Sequence, residues 1–202
     1  MFEPMAELEP VQVGLAFADS IESHRSGAIL PVQLSATPLA QLSATSIAAS
    51  GLDLLLVGGA SSQQIETITE ACDSCGCIVA FIDGHGGDKQ VAWNAMVNIK
   101  AKLEAHEMPA NLGVTDVREL ASLADALLAF DSEQSLLEFL HATATERHCG
   151  VIYLASGSVG LARYSEMNQA IAAVLSPSAY FVSSVYSANS HDCIALVGIR
   201  QP

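Results

Sequence analysis

The chain has 202 residues, half of them apolar, with 22 acidic residues against 8 basic ones and a formal net charge of −14. A chain of this length buries roughly 70% of the surface that its unfolded form exposes, so its core needs no disulfides. The small number of cations argues against binding nucleic acid by charge, because each neutralised phosphate requires a Lys or Arg. No run approaches the ~18 uncharged apolar residues that cross a bilayer, so we expect no membrane span.

The cysteines and the first residues indicate the compartment. Five cysteines form an odd number at irregular spacing, and Met1–Pro10 holds three glutamates and no basic residue that would begin a secretory signal. Both features predict a reducing, cytoplasmic location. We treat residues 1–202 as one α/β domain, in which residues 1–50 have the least readable pattern.

Seven short apolar runs, bounded by Gly, Ser, Pro or Asp, predict β-strands. Several are continuously apolar rather than alternating, which is typical of strands covered on both faces. The runs are Val11–Ala18, Ile29–Leu34, Leu52–Val57, Cys77–Asp83, Cys149–Ala155, Ala179–Val185 and Asp192–Ile199.

Helical patterns lie between these runs. Ser61 and Gln64 form a capping-box pattern ahead of apolar residues spaced by three and four. Four more helices are predicted to begin at Asp88, at Asp116 with Glu119, at Ser132 and at Gly160, the last ending at Leu175. Ala126–Phe130 is compatible with the tail of the third helix or with a separate strand, because five residues do not distinguish the two periods.

This alternation of strands and helices predicts the fold class. Helices of 12 or more residues between strands imply crossover connections, and therefore a wound, mostly parallel sheet with helices on both faces. The last two runs are joined across Tyr186–His191, a short connection that predicts a C-terminal antiparallel hairpin at one edge of the sheet.

The order of these elements resembles the RecA/KaiC-like P-loop core. In that resemblance Leu52–Val57 leads into the glycine turn, and Ala126–Asp131 stands where the family's Walker B strand ends in an acidic residue. The family's phosphate loop would correspond to Gly58, Gly59, Ser61 and Ser62. The family's lysine followed by Ser or Thr is missing there, so the resemblance implies a degenerate P-loop fold that keeps the architecture without the nucleotide chemistry.

A second loop, Asp83–Gly84–His85–Gly86–Gly87, resembles the signature of the metal-dependent Ser/Thr protein phosphatases. That resemblance implies a manganese or magnesium pair at Asp83, with His85 and Asp192 as further catalytic residues. The run around Asp192 departs from the family's pattern, since Cys193 stands in place of an asparagine. About 100 residues separate the two patches, too few for the family's antiparallel sandwich.

Three cysteines lie close together at Cys72, Cys75 and Cys77. Thiols at this spacing are typical ligands of zinc or of an iron–sulfur cluster when a fourth ligand completes the site. The alternative is burial, because Cys72 falls on the apolar side of its helix and Cys77 begins a strand.

Together these features favour a non-catalytic α/β regulatory or assembly protein without a cofactor. Its partner would be another protein or further copies of the same chain. The alternatives are a hydrolase with Mn or Mg at Asp83 and a zinc module at the cysteines.

Overall fold

A computed structural model of the chain describes residues 10–18, 37–105, 112–189 and 191–201. Their strands are β1 Val13–Phe17, β2 Thr37–Pro38, β3 Leu54–Gly58, β4 Ile78–Gly84, β5 Ala126–Phe130, β6 His148–Ser156, β7 Tyr180–Tyr186 and β8 Cys193–Ile199. Their α-helices are α1 Ala44–Ser50, α2 Ser62–Cys75, α3 Lys89–Glu104, α4 Val114–Leu123, α5 Glu133–Ala142 and α6 Leu161–Val174.

All eight of these strands belong to one sheet, in the order β2-β1-β3-β4-β5-β8-β6-β7. The neighbours from β2 to β5 are parallel, as are β6 and β7, whereas β8 is antiparallel to both β5 and β6. The predicted α/β fold with a mostly parallel sheet is therefore confirmed.

The antiparallel strand near the C-terminus has different partners from those predicted. β7 and β8 do not form a hairpin. Among the described strands, β7 pairs only with β6. β8 lies on the other side of β6, between β5 and β6. Burial explains this position, because Cys193–Val197 has no exposed surface and such a strand requires neighbours on both sides.

Helices cover both faces of the sheet, as predicted. α3 and α4 pack on one face over a core that includes Leu56, Ile82 and Leu196. On the opposite face, α1 and α2 cover the end of the sheet that contains β1 and β3, and α5 and α6 cover β6 and β8. The five residues of β3 are all buried, which accounts for their continuously apolar sequence.

The capping signals place most helix starts correctly. The side chains of Ser61 and Gln64 form the capping box of α2, and Asp88 caps α3. Asp116 does not begin α4; Gly113 is the N-cap, and its N–H donates to the Asp116 carboxylate at 2.6 Å. α5 follows Ser132, and α6 follows Gly160.

Ala126–Phe130, for which the sequence left two possibilities, is the separate strand β5. The predicted strand Ile29–Leu34 lies outside the described residues. Within the residues that the structure describes, no helix combines the length and the apolar character needed to span a bilayer.

Candidate functional site

The carboxyl edge of the sheet gathers most of the polar residues predicted as functional. The parallel strands end at this edge, and the antiparallel β8 begins there, so their loops lie side by side. One cavity of about 360 Å³ lies beside Phe17, Gly59 and Asp83. A second, of about 250 Å³, lies beside Ser156, Arg163 and Asp192, residues of the β6–α6 and β7–β8 segments.

The turn from β3 to α2 contains the residues predicted as a phosphate loop. Ser61 N–H donates to Gln64 Oε1 at 2.9 Å, and Gln64 N–H donates back to Ser61 Oγ at 3.4 Å. Gly59 adopts a left-handed conformation, with φ +71°. The turn thus satisfies two of its own amide donors, which are the groups that would otherwise bind a phosphate.

The aromatic ring of Phe17 packs against Gly58, where β3 leads into this turn. β1 and β3 are in register with Phe17 opposite Gly58, and a Cβ atom at position 58 would lie 2.2 Å from the ring. Gly58 is therefore the residue of this strand-to-helix connection that the Phe17 ring restricts to glycine.

The loop that follows β4 is held by its own packing. A Cβ atom on Gly84 would lie 1.7 Å from the carbonyl oxygen of Asp88, so only glycine fits at position 84. The His85 ring stacks on Phe130, with 4.8 Å between ring centroids, and meets the edge of Phe139. Asp88 Oδ1 accepts the N–H groups of Gln90 and Val91 and so begins α3.

Asp83, His85 and Asp192 do not share one site. Asp83 borders the larger cavity, His85 packs against the phenylalanines, and Asp192 borders the smaller cavity. Over the described ranges, no three His, Cys, Asp or Glu side chains come close enough to hold a metal ion. The structure thus does not bring together the residues that the phosphatase resemblance implied.

Asp131 forms a polar cluster that the sequence pattern did not reveal. Asn94 Nδ2 donates to Asp131 Oδ2 at 3.0 Å, and Gln90 Nε2 donates to Asn94 Oδ1 at 2.9 Å. His191 Nδ1 lies 3.9 Å from the same carboxylate oxygen. A sequence signal existed only for the Gln90–Asn94 pair, which has the i,i+4 spacing of neighbours on a helix.

The second cavity is bordered by an ion-pair network. The buried Tyr153 hydroxyl donates to Glu133 Oε1 at 2.8 Å, while Arg163 donates to Glu133 Oε2 and to Glu166. Burial, reinforced by the hydrogen bond to Glu133, raises the pKa of Tyr153 well above its ordinary value. Ser156 Oγ donates to the Asn189 carbonyl at 3.1 Å. These groups hold one another in place across the loops.

The cysteines lie at the opposite, amino edge of the sheet. Cys72 and Cys77 are buried in one apolar cluster, whereas Cys75 is exposed. The Cys75 thiol donates to the Cys72 carbonyl at 3.4 Å. Two of the three predicted zinc ligands therefore point into the core, and the third lies at the surface.

Comparisons with known proteins add no family to this description. The sequence matches no protein-family model, and a search of curated proteins finds no relative.

Proposed function

We propose that this chain is a non-catalytic α/β regulatory or assembly protein, RecA-like in the order of its elements, that acts by binding another protein or copies of itself. The observation that carries the proposal is that the β3–α2 turn pairs its own amide donors, because Ser61 N–H donates to Gln64 Oε1 and Gln64 N–H donates to Ser61 Oγ. In a nucleotide-binding P-loop protein, the corresponding turn must leave room for phosphates and supply amide donors.

Charge supports the same conclusion. Residues 58–62 contain no Lys or Arg, and the cavity beside them is lined by one carboxylate, Asp83, and one cation, Lys89 of α3. A triphosphate would therefore meet no cation from the glycine turn itself, where a P-loop supplies its lysine. The Asp131 carboxylate, which would correspond to the family's Walker B position, accepts a hydrogen bond from Asn94 instead.

Leu161 provides a contact point for a protein partner. It is the first residue of α6 and is 81% exposed, more than any other large apolar side chain in the described part of the chain. Arg163 and Ser158, which are close to Leu161 in the sequence, border the cavity of about 250 Å³ and supply polar groups near it. Protein interfaces commonly combine an apolar anchor with a polar rim of this kind.

The proposal includes a cytoplasmic location and a partner that is neither nucleic acid nor membrane. Two features support this part of the proposal. The chain has 22 acidic residues against 8 basic ones, and its five cysteines are all free thiols. An acidic surface repels phosphate backbones and anionic lipid headgroups alike.

Sedimentation velocity and native mass spectrometry of the purified full chain test the interaction. We expect assemblies of more than one chain whose population falls in Leu161→Glu. Leu123→Glu is the matched control, since Leu123 is also a surface leucine at a helix terminus but is only 37% exposed. A chain that stays monomeric at all concentrations contradicts self-assembly and leaves a different protein as the partner.

Nucleotide and metal titrations test the absence of catalysis. Mg–ATP at ~100 times its dissociation constant would stabilise the fold by about 2.7 kcal/mol, a readily measured shift in melting temperature. We expect no shift. A saturable shift, or manganese-dependent hydrolysis of p-nitrophenyl phosphate that Asp83→Asn abolishes, would overturn the proposal.

A further inference from the structure

The C-terminus of α2 ends in a glycine turn that brings Cys72 and Cys77 together. Gly76 follows the helix in the left-handed conformation, with φ +76°, and Cys77 N–H donates to the Cys72 carbonyl at 3.1 Å. This is the Schellman arrangement, in which the residue after the glycine contacts the side chain five positions earlier. The glycine turn therefore sets Cys72 and Cys77 side by side.

The two thiols are in direct contact inside the core. Cys72 has no exposed surface, Cys77 is 6% exposed, and both belong to the cluster that also contains Val57 and Ile68. A side-chain hydrogen bond between the two thiols raises the pKa of Cys72 and lowers the pKa of Cys77, and the Cys77 thiol donates to the Ile78 carbonyl at 3.4 Å. The backbone hydrogen bond of the turn and the shared buried cluster keep the two side chains adjacent, which is the first geometric requirement for a disulfide.

A cavity of about 390 Å³ gives small molecules a route to this pair. It lies at the amino edge of the sheet, where Gly76 and Cys77 form one side and Arg118 of α4 the other. Asp73 and Arg118 are the charged side chains among the residues that line it, one of each sign. The cavity admits part of a small disulfide, and Arg118 offers a cation with which a carboxylate of that molecule would pair.

We propose that Cys72 and Cys77 are a redox modification site, a dithiol that a low-molecular-weight disulfide of the glutathione type converts reversibly to an intramolecular disulfide. The proposal goes beyond the proposed function, since it concerns the opposite edge of the sheet and stands whether or not the protein assembles.

The reaction has two balanced steps. Cys77 loses its proton and attacks one sulfur of the small disulfide, which forms a mixed disulfide and releases one thiolate that takes up that proton. Cys72 then loses its proton and attacks the Cys77 sulfur, which forms the Cys72–Cys77 bond and releases the second small thiol. The two cysteines are oxidised, and one small disulfide is reduced to two thiols.

The electrostatics of the pair agree with this order of attack. The hydrogen bond from Cys72 lowers the pKa of Cys77 and raises the pKa of Cys72. Cys77 is therefore the better first nucleophile, because the thiolate is the attacking form. Cys72, which lies deeper, is the resolving thiol.

The test uses the purified full chain, reduced, freed of reductant and exposed to oxidised glutathione. Free thiols are then blocked with N-ethylmaleimide in denaturant and counted by intact mass. The reduced chain takes five labels, one per cysteine. We expect the oxidised wild type and Cys75→Ser each to lose two labels, and Cys72→Ser to retain a glutathione adduct on Cys77.

Mapping of the wild type keeps the test independent of whether the variants fold. Cleavage before Asp73 separates Cys72 from Cys75 and Cys77, so the proposed bond joins two peptides, with the N-ethylmaleimide label on Cys75. A disulfide that includes Cys75, loss of oxidation in Cys75→Ser, or five labels after oxidation would each overturn the proposal.

Arg118→Glu tests the route of entry. We expect this variant to react several-fold more slowly with oxidised glutathione but at the wild-type rate with the uncharged 2-hydroxyethyl disulfide. Equal rates with both reagents would show that the cavity is not the route.

Discussion

The ring of Phe17 on β1 occupies the place where a side chain at Gly58 on β3 would lie, with only 2.2 Å between the ring and that position. The two residues face each other across the parallel pair β1–β3. The close approach ties the shape of the β3–α2 turn to the first strand of the sheet. It also makes Gly58 part of the packing between β1 and β3.

Gly58→Ala is expected to destabilise the protein by about 1–3 kcal/mol, because the added methyl group forces the Phe17 ring from its packed position. Urea unfolding followed by circular dichroism measures the change. In a Phe17→Leu background the same substitution costs about 1 kcal/mol less, since the flexible leucine yields to the methyl group. Equal costs in the two backgrounds would show that the ring does not set the constraint.

Asp88→Ala is expected to cost about 1 kcal/mol, because the first amides of α3 lose the acceptor that Asp88 Oδ1 provides. Asp88→Ser keeps an oxygen at that position and retains most of the stability. Asp83→Ala, at the end of β4, is the nearby control, since Asp83 is exposed, and it is expected to change stability by less than about 0.5 kcal/mol. Guanidinium unfolding of the three variants compares them; equal losses at positions 83 and 88 would contradict the capping role.

Local signals in the sequence predicted local structure well. The Ser61–Gln64 capping box and the Asp88 cap begin helices because hydrogen bonds between residues a few positions apart decide a helix start. Continuously apolar runs predicted β3 and β4, because a strand that is covered on both faces of the sheet carries apolar side chains on both. The local pattern of Ala126–Phe130 does not distinguish a strand from a helix end, and its strand conformation depends on pairing with β4 and β8.

Relationships between distant residues could not be predicted in this way. A strand's partner depends on how the whole sheet buries its faces, so the insertion of β8 between β5 and β6 has no local signature. The contact of Asn94 with Asp131 depends on the position of α3 over β5. For the same reason, the loop motif at Asp83 and His85 gave no indication that the histidine would stack on Phe130.

Tyr153→Phe is expected to cost about 1.5–3 kcal/mol, because the buried hydroxyl donates to the Glu133 carboxylate and a hydrogen bond to a charged acceptor is stronger than a neutral one. Tyr164→Phe is the matched control: its hydroxyl pairs with the neutral Ser183 hydroxyl at 2.8 Å, and its loss is expected to cost about 0.5–1.5 kcal/mol. Thermal and urea unfolding rank the two variants. A larger cost at Tyr164 would contradict the greater strength expected of the hydrogen bond from Tyr153 to the Glu133 carboxylate.

His148 is expected to make stability fall in mild acid. It is buried, and neither ring nitrogen has a hydrogen-bond partner of normal geometry among the described residues. Burial lowers its pKa below the ordinary value of 6.5; the nearby Val174 backbone partly offsets this effect. The unfolded chain therefore binds a proton that the folded chain does not, and stability falls as the pH drops below about 6.5 toward the folded-state pKa.

His148→Phe isolates this effect, because it keeps a planar ring in the pocket beside Phe139 and removes the titrating group. We expect the variant to equal or exceed the wild type at pH 7.5, where an unpartnered polar ring is already costly to bury. Its advantage then grows by up to about 1.4 kcal/mol per pH unit below pH 6.5. Urea unfolding at pH 7.5, 6.5 and 5.5 measures the difference in unfolding free energy between the variant and the wild type. The other histidines are present in both proteins, so their titration cancels in this difference. Parallel pH profiles would mean that His148 accepts a proton in the folded state as readily as in the unfolded chain.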